Sequence, residues 1–332
     1  MPQAPRALHV VGGFTIDAIV RADGSWATGQ LGGNALWAAM SIAQFPGALP
    51  VAHSGIGIDY PESALSRIAS HGVDVSNVRQ DEERGNARVT FAYGQDGSRS
   101  QPAPASVVGT LPRSVQPEFA DTTRDDVTAA ALLPRGGRLT GAVAAGARAW
   151  HLGLLPSDRF TELVTALKGA GASYVQADCP ARFEIRRDGD GVLRDVLPQL
   201  DAFLPSSSDT DVFAPGDDHE DLVRRFHRYG APVVVLKRGD QGALVSEAGG
   251  RTWSVPAFPL AREGDPTGAG DVFCGAFAYL RSTGTPLLEA AVHASARASY
   301  AVEASCPLDY AAPSAQDLTH RIEHIRKGVI DL

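Results

Sequence analysis

One run near the C-terminal end of the chain organises the rest, and it reads Asp265-Pro266-Thr267-Gly268-Ala269-Gly270-Asp271. In residues 272–280, which follow it, apolar side chains recur at helical spacing until Ser282-Thr283-Gly284-Thr285-Pro286 ends the pattern. The proline and the small residues interrupt regular structure ahead of this pattern. The sequence therefore predicts a loop that leads into a helix beginning near Gly268.

The start of such a helix offers a binding site for an anion. Its first backbone N–H groups have no partner within the helix, the helix dipole is positive at this end, and Gly268, Ala269 and Gly270 leave the backbone open to close approach. Asp271 does not suit a simple phosphate site, because its carboxylate repels a bound polyphosphate. It does suit a second task, the removal of a proton from a hydroxyl that attacks phosphorus. The two features together predict a phosphotransferase.

The run from Asp265 to Asp271 resembles the C-terminal signature of the ribokinase (PfkB-type) carbohydrate kinase family. The resemblance implies an α/β fold, a ribokinase-like three-layer α/β/α domain with a mainly parallel central sheet and a small β lid. It also implies that residues 268–270 form an anion hole for the phosphate transferred from ATP, that Asp271 is the catalytic base and that Mg²⁺ is a cofactor. Asp265 precedes a loop where several relatives hold a monovalent cation, so K⁺ is a further expected cofactor.

Composition limits the classes of protein that the chain can represent. Of its 332 residues, 44% are apolar and 20% are charged, which is typical of a globular protein with ample core. The formal charge of −8 argues against nucleic acid or an anionic membrane as the principal partner. The three cysteines are far apart and no apolar run reaches membrane length, so we expect a cytoplasmic protein with reduced thiols.

Two segments near the N-terminus provide candidate residues for binding the acceptor. Asp17 lies in an alternating run at the place where the family carries an aspartate that grips sugar hydroxyls, and the alternative is an exposed strand carboxylate. Gly32 and Gly33 open an alanine-rich helix that resembles the N-terminal signature of the family. Trp37 stands where that signature has its sugar-binding asparagine, and Asn34, about one helical turn earlier, is the candidate to replace it. The Trp37 indole either faces the acceptor as a flat surface or packs in the core.

A small lid is expected within a single kinase domain that spans residues 1–332. Residues 88–93 alternate like an edge strand, and the resemblance places lid strands around 14–21 and 87–105. A homodimer formed through the lid is one expected assembly. From 94 to 141 steady periodicity disappears and prolines, glycines and charges accumulate, which predicts an elaborated loop.

After this segment, strands and helices alternate, as expected for a parallel sheet flanked by helices. Asp178 and Arg182 stand where the family often carries Asp-x-x-x-Arg, and Arg182 faces either phosphate or solvent. The predicted strands are 149–152, 174–177, 202–204 and 233–236, and the predicted helices are 160–170, 191–199, 218–229 and 287–303.

Polar residues after two of these strands are candidates for nucleotide binding. Ser206 and Asp209 lie where relatives have Asn-x-x-Glu, which organises water around Mg²⁺. Asp209 is therefore expected to act on Mg²⁺ through water, and a serine-rich helix cap is the alternative. Lys237, Gly239 and Gly242 resemble the turn that the family places beside the nucleotide, with a cation that suits ATP.

No P-loop and no dinucleotide-binding glycine motif occurs in the sequence, so residues 264–271 remain the predicted phosphate site. We expect an ATP-dependent kinase that phosphorylates a hydroxyl of a sugar or a sugar-like small molecule. Two alternatives stay open: a nucleoside or vitamin kinase on the same scaffold, and a ligand-binding member without catalysis. The intact Gly-Ala-Gly-Asp run favours an enzyme, because a pure binder gains nothing from a carboxylate beside phosphate.

Overall fold

The computed structural model describes residues 6–95, 99–123, 131–260, 265–311 and 313–332, and its larger sheet is mainly parallel. In spatial order this sheet contains β5 (Asp74–Gln80), β4 (Ala48–Ile56), β1 (Arg6–Val11), β8 (Ala149–Leu152), β9 (Tyr174–Ala177), β10 (Ala202–Phe203), β11 (Val233–Lys237), β12 (Ala243–Glu247), β13 (Thr252–Val255) and β14 (Ile330–Asp331). Neighbouring strands run parallel from β5 to β11 and antiparallel from β11 to β14. The parallel central sheet predicted from the family resemblance is confirmed.

Helices cover both faces of this sheet, and the short helix at residues 105–108 packs on a smaller sheet instead. They are α1 (Asn34–Ala43), α2 (Ala64–Ser70), α3 (Ala105–Val108), α4 (Gly136–Ala144), α5 (Ser157–Gly169), α6 (Arg182–Asp188), α7 (Gly191–Val196), α8 (Ser207–Phe213), α9 (His219–Arg228), α10 (Ala269–Ser282), α11 (Leu287–Ala301) and α12 (Ala315–Lys327). Within the described ranges, none of these helices is both long and apolar enough to cross a membrane.

Two hydrophobic cores lie on opposite faces of the sheet, and β11 contributes to both. Val233 and Val235 join the core that contains residues of α1, α10 and α11, whereas Val234 and Leu236 join the core that contains residues of α5 and α9. Because side chains alternate along a strand, both faces of β11 are buried, which explains its continuous apolar sequence. The three-layer α/β/α arrangement is therefore confirmed.

Most predicted elements after residue 149 have the expected type, and their ends differ by a few residues. The strands at 149–152 and 174–177 have the predicted bounds. The predicted helix 191–199 is divided into α7 and a 3₁₀ turn, Leu197–Gln199. Pro198 accounts for this division, because it has no backbone N–H to continue the α-helical hydrogen bonds.

A second, smaller sheet forms the lid. Its order is β3 (Trp26–Gly32), β2 (Thr15–Val20), β6 (Arg88–Tyr93) and β7 (Arg99–Ser100), with β2 antiparallel to β3 and parallel to β6. The sequence did not predict β3. The strand contains two glycines, and its residues do not alternate regularly between buried and exposed positions, so it lacks the usual pattern of a strand. The pairing of β2 with β3 shifts between Asp17 and Ile19, beside Gly29, whose φ of 65° suits only glycine.

The predicted loop at 94–141 contains more structure than its sequence indicates, although its residues 96–98 and 124–130 lie outside the described part. Leu111 and Phe119 pack against Ala18 and Val20 of β2 and make a third, small core on the lid. Helix α4 occupies the end of the segment, so the loop prediction is too long there. Three glycines lower the helix propensity of α4, and burial of its apolar side chains stabilises it instead.

Replacing Phe119 with Ala tests whether the small core holds the lid independently of the main cores. We expect a change in melting temperature of only a few degrees, with faster hydrogen exchange at the amides of β2 and β6. Phe226→Ala is the matched control, because Phe226 is fully buried in a main core and its truncation should cost about 3–5 kcal/mol of global stability. If both variants lost the same global stability, and Phe119→Ala did not speed hydrogen exchange in the lid, the small core would not be independent of the main cores.

Candidate active site

The first turn of α10 presents backbone donors that the helix itself does not use. Gly268 caps the helix with a left-handed φ of 80°, and its carbonyl accepts the first helical hydrogen bond from the Val272 N–H at 2.8 Å. The Ala269 N–H donates to the Pro266 carbonyl at 3.2 Å. The N–H groups of Gly270 and Asp271 have no acceptor among the described residues. This end of α10 is therefore suited to an anion.

Trp37 lies directly beneath this turn. A Cβ atom added to Gly268 would come within 2.3 Å of two ring carbons of Trp37, so the backbone rests on the indole face. The Trp37 side chain is only 3% exposed and meets Tyr310 edge to face, with ring centroids 6.5 Å apart. The burial of Trp37 fits the core alternative, in which the indole supports the turn at Gly268 from below. Contact between Trp37 and the acceptor stays a prediction.

Asp271 occupies the first turn of the same helix, and several charged groups act on it. Burial raises the pKa of Asp271 to about 7, the Asp178 and Asp209 carboxylates add to the rise, and Lys237 and Arg99 oppose it. A carboxyl group with this pKa is about half ionised at neutral pH and is a stronger base than an ordinary aspartate. Asp271 therefore places a candidate base directly beside the free N–H groups that suit an anion.

Asp17 faces the same region from the lid. Its side chain is 5% exposed, and the Thr15 hydroxyl donates to Asp17 Oδ1 at 2.6 Å. Burial raises the pKa of Asp17 to about 7 against the effect of the Thr15 hydrogen bond, and the nearby Asp271 carboxylate adds to the rise. The alternative of an exposed strand carboxylate is therefore wrong, and the partly buried Asp271 carboxylate acts on buried Asp17 across the site.

The glycine pair before α1 is required by close packing. A Cβ atom on Gly32 would lie 1.9 Å from Asp17 Oδ2, and one on Gly33 would lie 2.2 Å from the Gly13 carbonyl oxygen. Gly33 also has a φ of 106°, which other residues rarely adopt. The pair thus makes room for the Asp17 carboxylate and brings the lid strand against the first turn of the sheet.

The Asn34 side chain joins two strand ends. Its Oδ1 accepts a hydrogen bond from the Gly13 N–H at 2.9 Å, and its Nδ2 donates to the Leu154 carbonyl at 3.1 Å. Gly12 and Gly153 flank the amide so closely that a Cβ on either would overlap it. These contacts give Asn34 a structural task that the sequence did not indicate, and leave one N–H and one lone pair for a ligand.

Lys237 lies below the phosphate loop in a buried ion pair. Its Nζ donates to Asp178 Oδ2 at 2.8 Å and to Cys274 Sγ at 3.1 Å. The same Nζ would be 3.7 Å from a Cβ atom on Gly270, so the ammonium group borders the first turn of α10. The sequence placed Lys237 near the nucleotide, but it could not show the partner Asp178, which is 59 positions away.

Ser206 and Asp209 form a capping box at the start of α8. Ser206 Oγ accepts from the Asp209 N–H, Asp209 Oδ2 accepts from the Ser206 N–H, and Arg182 donates to Asp209 Oδ1 at 2.9 Å. The helix-cap alternative therefore describes this motif, and Arg182 faces a carboxylate in this structure. The described residues contain no cluster of three or more potential metal-ligating side chains. Asp209 Oδ1 and Oδ2 are thus engaged by Arg182 and Ser206, and the action of Asp209 on Mg²⁺ through water stays a prediction.

Asp265 retains an unused oxygen at the beginning of the signature. Its Oδ1 accepts from the Thr267 N–H at 2.9 Å, and its backbone N–H donates to the Val302 carbonyl at 3.1 Å. Its Oδ2 is buried without a hydrogen-bond partner among the described residues. A buried carboxylate oxygen of this kind fits the predicted monovalent cation.

The turn predicted to lie beside the nucleotide contains two glycines with positive φ, Gly239 at 60° and Gly242 at 79°. A Cβ atom on Gly242 would lie 2.0 Å from the Val255 carbonyl oxygen, so only glycine lets this turn close onto β13. The structure thus explains why both positions are glycine.

Three lid residues that the sequence did not single out contact the site. The hydroxyl groups of Tyr93 and Thr267 are hydrogen-bonded, which joins β6 to the signature loop. Arg182 donates to Gln101 Oε1 at 3.4 Å, and Arg99 acts electrostatically on Asp271. No motif marks these residues, because their role depends on how the lid folds back over the sheet.

Comparisons with known proteins relate the chain to kinases. The model of the pfkB family carbohydrate kinases matches residues 154–309. The chain is 28% identical to the cytidine kinase of Thermococcus kodakarensis over 288 residues, 85% of this chain and 91% of that protein. It is 31% identical to the 2-dehydro-3-deoxygluconokinase of Escherichia coli K12 over 126 residues, 37% of this chain and 41% of that protein.

Among solved structures, the ribokinase of Arabidopsis thaliana in complex with ribose and ATP has a TM-score of 0.64 against this chain. The two share 19% sequence identity, and the match covers 97% of this chain and 99% of that one. This similarity establishes the ribokinase-like fold.

A pair of substitutions tests the support that Trp37 gives to the loop. Gly268→Ala should be strongly destabilising, because the new methyl group meets the indole and the backbone φ is unfavourable. In a Trp37→Leu background the clash disappears, so the same change should cost only the backbone strain, about 1–2 kcal/mol. Gly284→Ala is the control for strain alone, since Gly284 has a φ of 90° and open space around it. Thermal or urea unfolding measures all of these variants, and equal costs for Gly268→Ala in both backgrounds would refute the contact.

Proposed function

We propose that the chain is a divergent member of the ribokinase (PfkB-type) kinase family, and that it is an ATP-dependent phosphotransferase whose acceptor is a hydroxyl of a sugar or sugar-like molecule. One observation carries the proposal. The first turn of α10 combines two free amide donors, those of Gly270 and Asp271, with a carboxyl group whose pKa is about 7. Phosphoryl transfer to a hydroxyl needs an anion site and a base at one place.

In the proposed reaction, an acceptor hydroxyl attacks the γ-phosphorus of ATP. The Asp271 carboxylate takes the hydroxyl proton as the new O–P bond forms and the bond to the bridging oxygen of ADP breaks. Residues 268–270 receive the transferred phosphoryl group, whose negative charge the free amides stabilise. Asp17, with Gly33 and Asn34, positions the acceptor on the lid side of Asp271.

The described residues also bear on the expected cofactors. The open helix terminus fits the phosphates of ATP. Mg²⁺ is expected to bind mainly through those phosphates and water, in keeping with the occupied Asp209 carboxylate, and would neutralise phosphate charge. The unpartnered Oδ2 of Asp265 is the atom that would contact K⁺.

A nucleoside acceptor is the second candidate, and one observation favours it. The match to a cytidine kinase extends over 85% of this chain, whereas the match to 2-dehydro-3-deoxygluconokinase covers 37%. A ligand-binding member without catalysis is less well supported, because a protein that only binds phosphate gains nothing from a carboxylate beside the anion site.

Replacing Asp271 with Asn tests the proposal directly. We expect ATP turnover to fall by on the order of a hundredfold or more, with ATP binding nearly unchanged, because the amide cannot accept the proton. ADP formation should be measured across a panel of sugars, sugar acids and nucleosides. Asp195→Asn on the exposed surface is the control and should behave as wild type. Turnover of Asp271→Asn within a few-fold of wild type would eliminate Asp271 as the base, and binding without turnover of any acceptor would favour the non-catalytic alternative.

The rate should also depend on pH in a direction fixed by the pKa of Asp271. The reactive form is the carboxylate, so kcat/KM, which reports the pKa of the free enzyme, should rise as pH increases through about 7 and level off above it. Below the pKa, each pH unit should lower kcat/KM about tenfold. A kcat/KM profile that is flat from about pH 5.5 to 8 would show that no such base limits the reaction.

A further inference from the structure

The ion pair of Lys237 and Asp178 lies beside the first turn of α10, and few hydrogen bonds replace water around it: the Cys179 N–H donates to Asp178 Oδ1, and Lys237 Nζ donates to Cys274 Sγ. Lys237 and Asp178 are both 8% exposed. An ion pair withdrawn from water this far seldom adds much stability, because desolvation offsets its attraction, and apolar residues of similar size often serve the fold as well. A task other than stability is therefore the better explanation for its position.

The Lys237 ammonium has a donor to spare. It carries three N–H groups, of which Asp178 and Cys274 engage two, and no third acceptor is present among the described residues. Burial alone lowers the pKa of Lys237, but the Asp178 carboxylate more than offsets this, so the group stays charged. The Nζ atom is 3.7 Å from where a Cβ atom on Gly270 would lie, and its charge acts on Asp271, so the ammonium group borders the turn that carries the free N–H groups.

We propose that Lys237 contacts the transferred phosphoryl group from below the loop, and that Asp178 is a positioning residue that holds the ammonium there. This inference rests on the proposed phosphotransferase function. Three donors, two amides and one ammonium, then surround the charge that spreads over the phosphoryl oxygens as the group transfers. Lys237 keeps its proton throughout, because the proton of the acceptor hydroxyl goes to Asp271.

The arrangement also explains why Asp178 does not cancel the effect of Lys237. In the empty protein the carboxylate balances the ammonium, which keeps a buried cation tolerable. When a phosphate with greater negative charge binds beside it, the ammonium interacts with both. Cys274 packs against the pair through its uncharged thiol, whose pKa burial raises well above its ordinary value, and thereby excludes water from the side facing α10.

Lys237→Met removes the charge while keeping most of the apolar stem. We expect kcat to fall by about a hundredfold, the effect of losing one donor to a developing charge, with the KM of the acceptor nearly unchanged. Binding of ADP with aluminium fluoride, which mimics the transferring group, should weaken far more than binding of ADP alone. Asp178→Asn should shift the same quantities in the same direction but less, since the ammonium remains and only its position loosens.

Two further variants keep the test decisive. The double variant Lys237→Met with Asp178→Asn leaves no unpaired buried charge, so it is expected to fold even where Lys237→Met alone does not. Lys168→Met is the matched control, because Lys168 pairs with Asp201 at 3.0 Å but lies away from the phosphate loop, and its kinetics should stay as wild type. A folded double variant with kcat and fluoride-complex affinity within a few-fold of wild type would overturn the role of Lys237. Absence of phosphoryl transfer in the wild type would instead overturn the proposed function itself.

Discussion

The contact between Gly268 and Trp37 is the constraint on which the phosphate loop depends. Gly268 must adopt a positive φ to turn the chain into α10, and its bare Cα lets the backbone lie on the indole. A rigid aromatic surface in the core thereby fixes the direction of the first helical turn. The same turn leaves the Gly270 and Asp271 N–H groups free. The contact between Gly268 and Trp37 therefore determines both the packing beneath the turn and the position of these donors.

The charges around this turn are balanced against one another. Asp17 is buried and Asp271 is partly buried, and the Asp271 carboxylate raises the pKa of Asp17. Lys237 opposes the rise in the pKa of Asp271 from below the loop. In such surroundings a carboxyl group titrates near neutral pH, where it is useful as a base.

Local patterns in the sequence predicted the helix of the signature, the alternating strands and helices after residue 149, and the layered sheet. They also contained the Ser206-x-x-Asp209 capping pattern, although the family resemblance drew attention to Mg²⁺ instead. Local patterns could not predict the features that depend on contacts between residues far apart in the sequence. Trp37 and Gly268 are far apart in sequence and meet only in the packed core, and the pairing of Lys237 with Asp178 requires the order of the parallel strands. Substitution of a motif residue, as at Trp37, therefore indicated a difference without showing its physical role.

The most direct test of the central claim, that the first turn of α10 receives the transferred phosphoryl group, is a crystal structure of the protein with ADP, Mg²⁺ and aluminium fluoride. The account predicts fluoride within about 3 Å of the Gly270 and Asp271 nitrogens, at hydrogen-bond distance, with the Asp271 carboxylate facing the opposite side of the aluminium from ADP. Aluminium fluoride bound elsewhere in the protein, with these N–H groups left free, would contradict it.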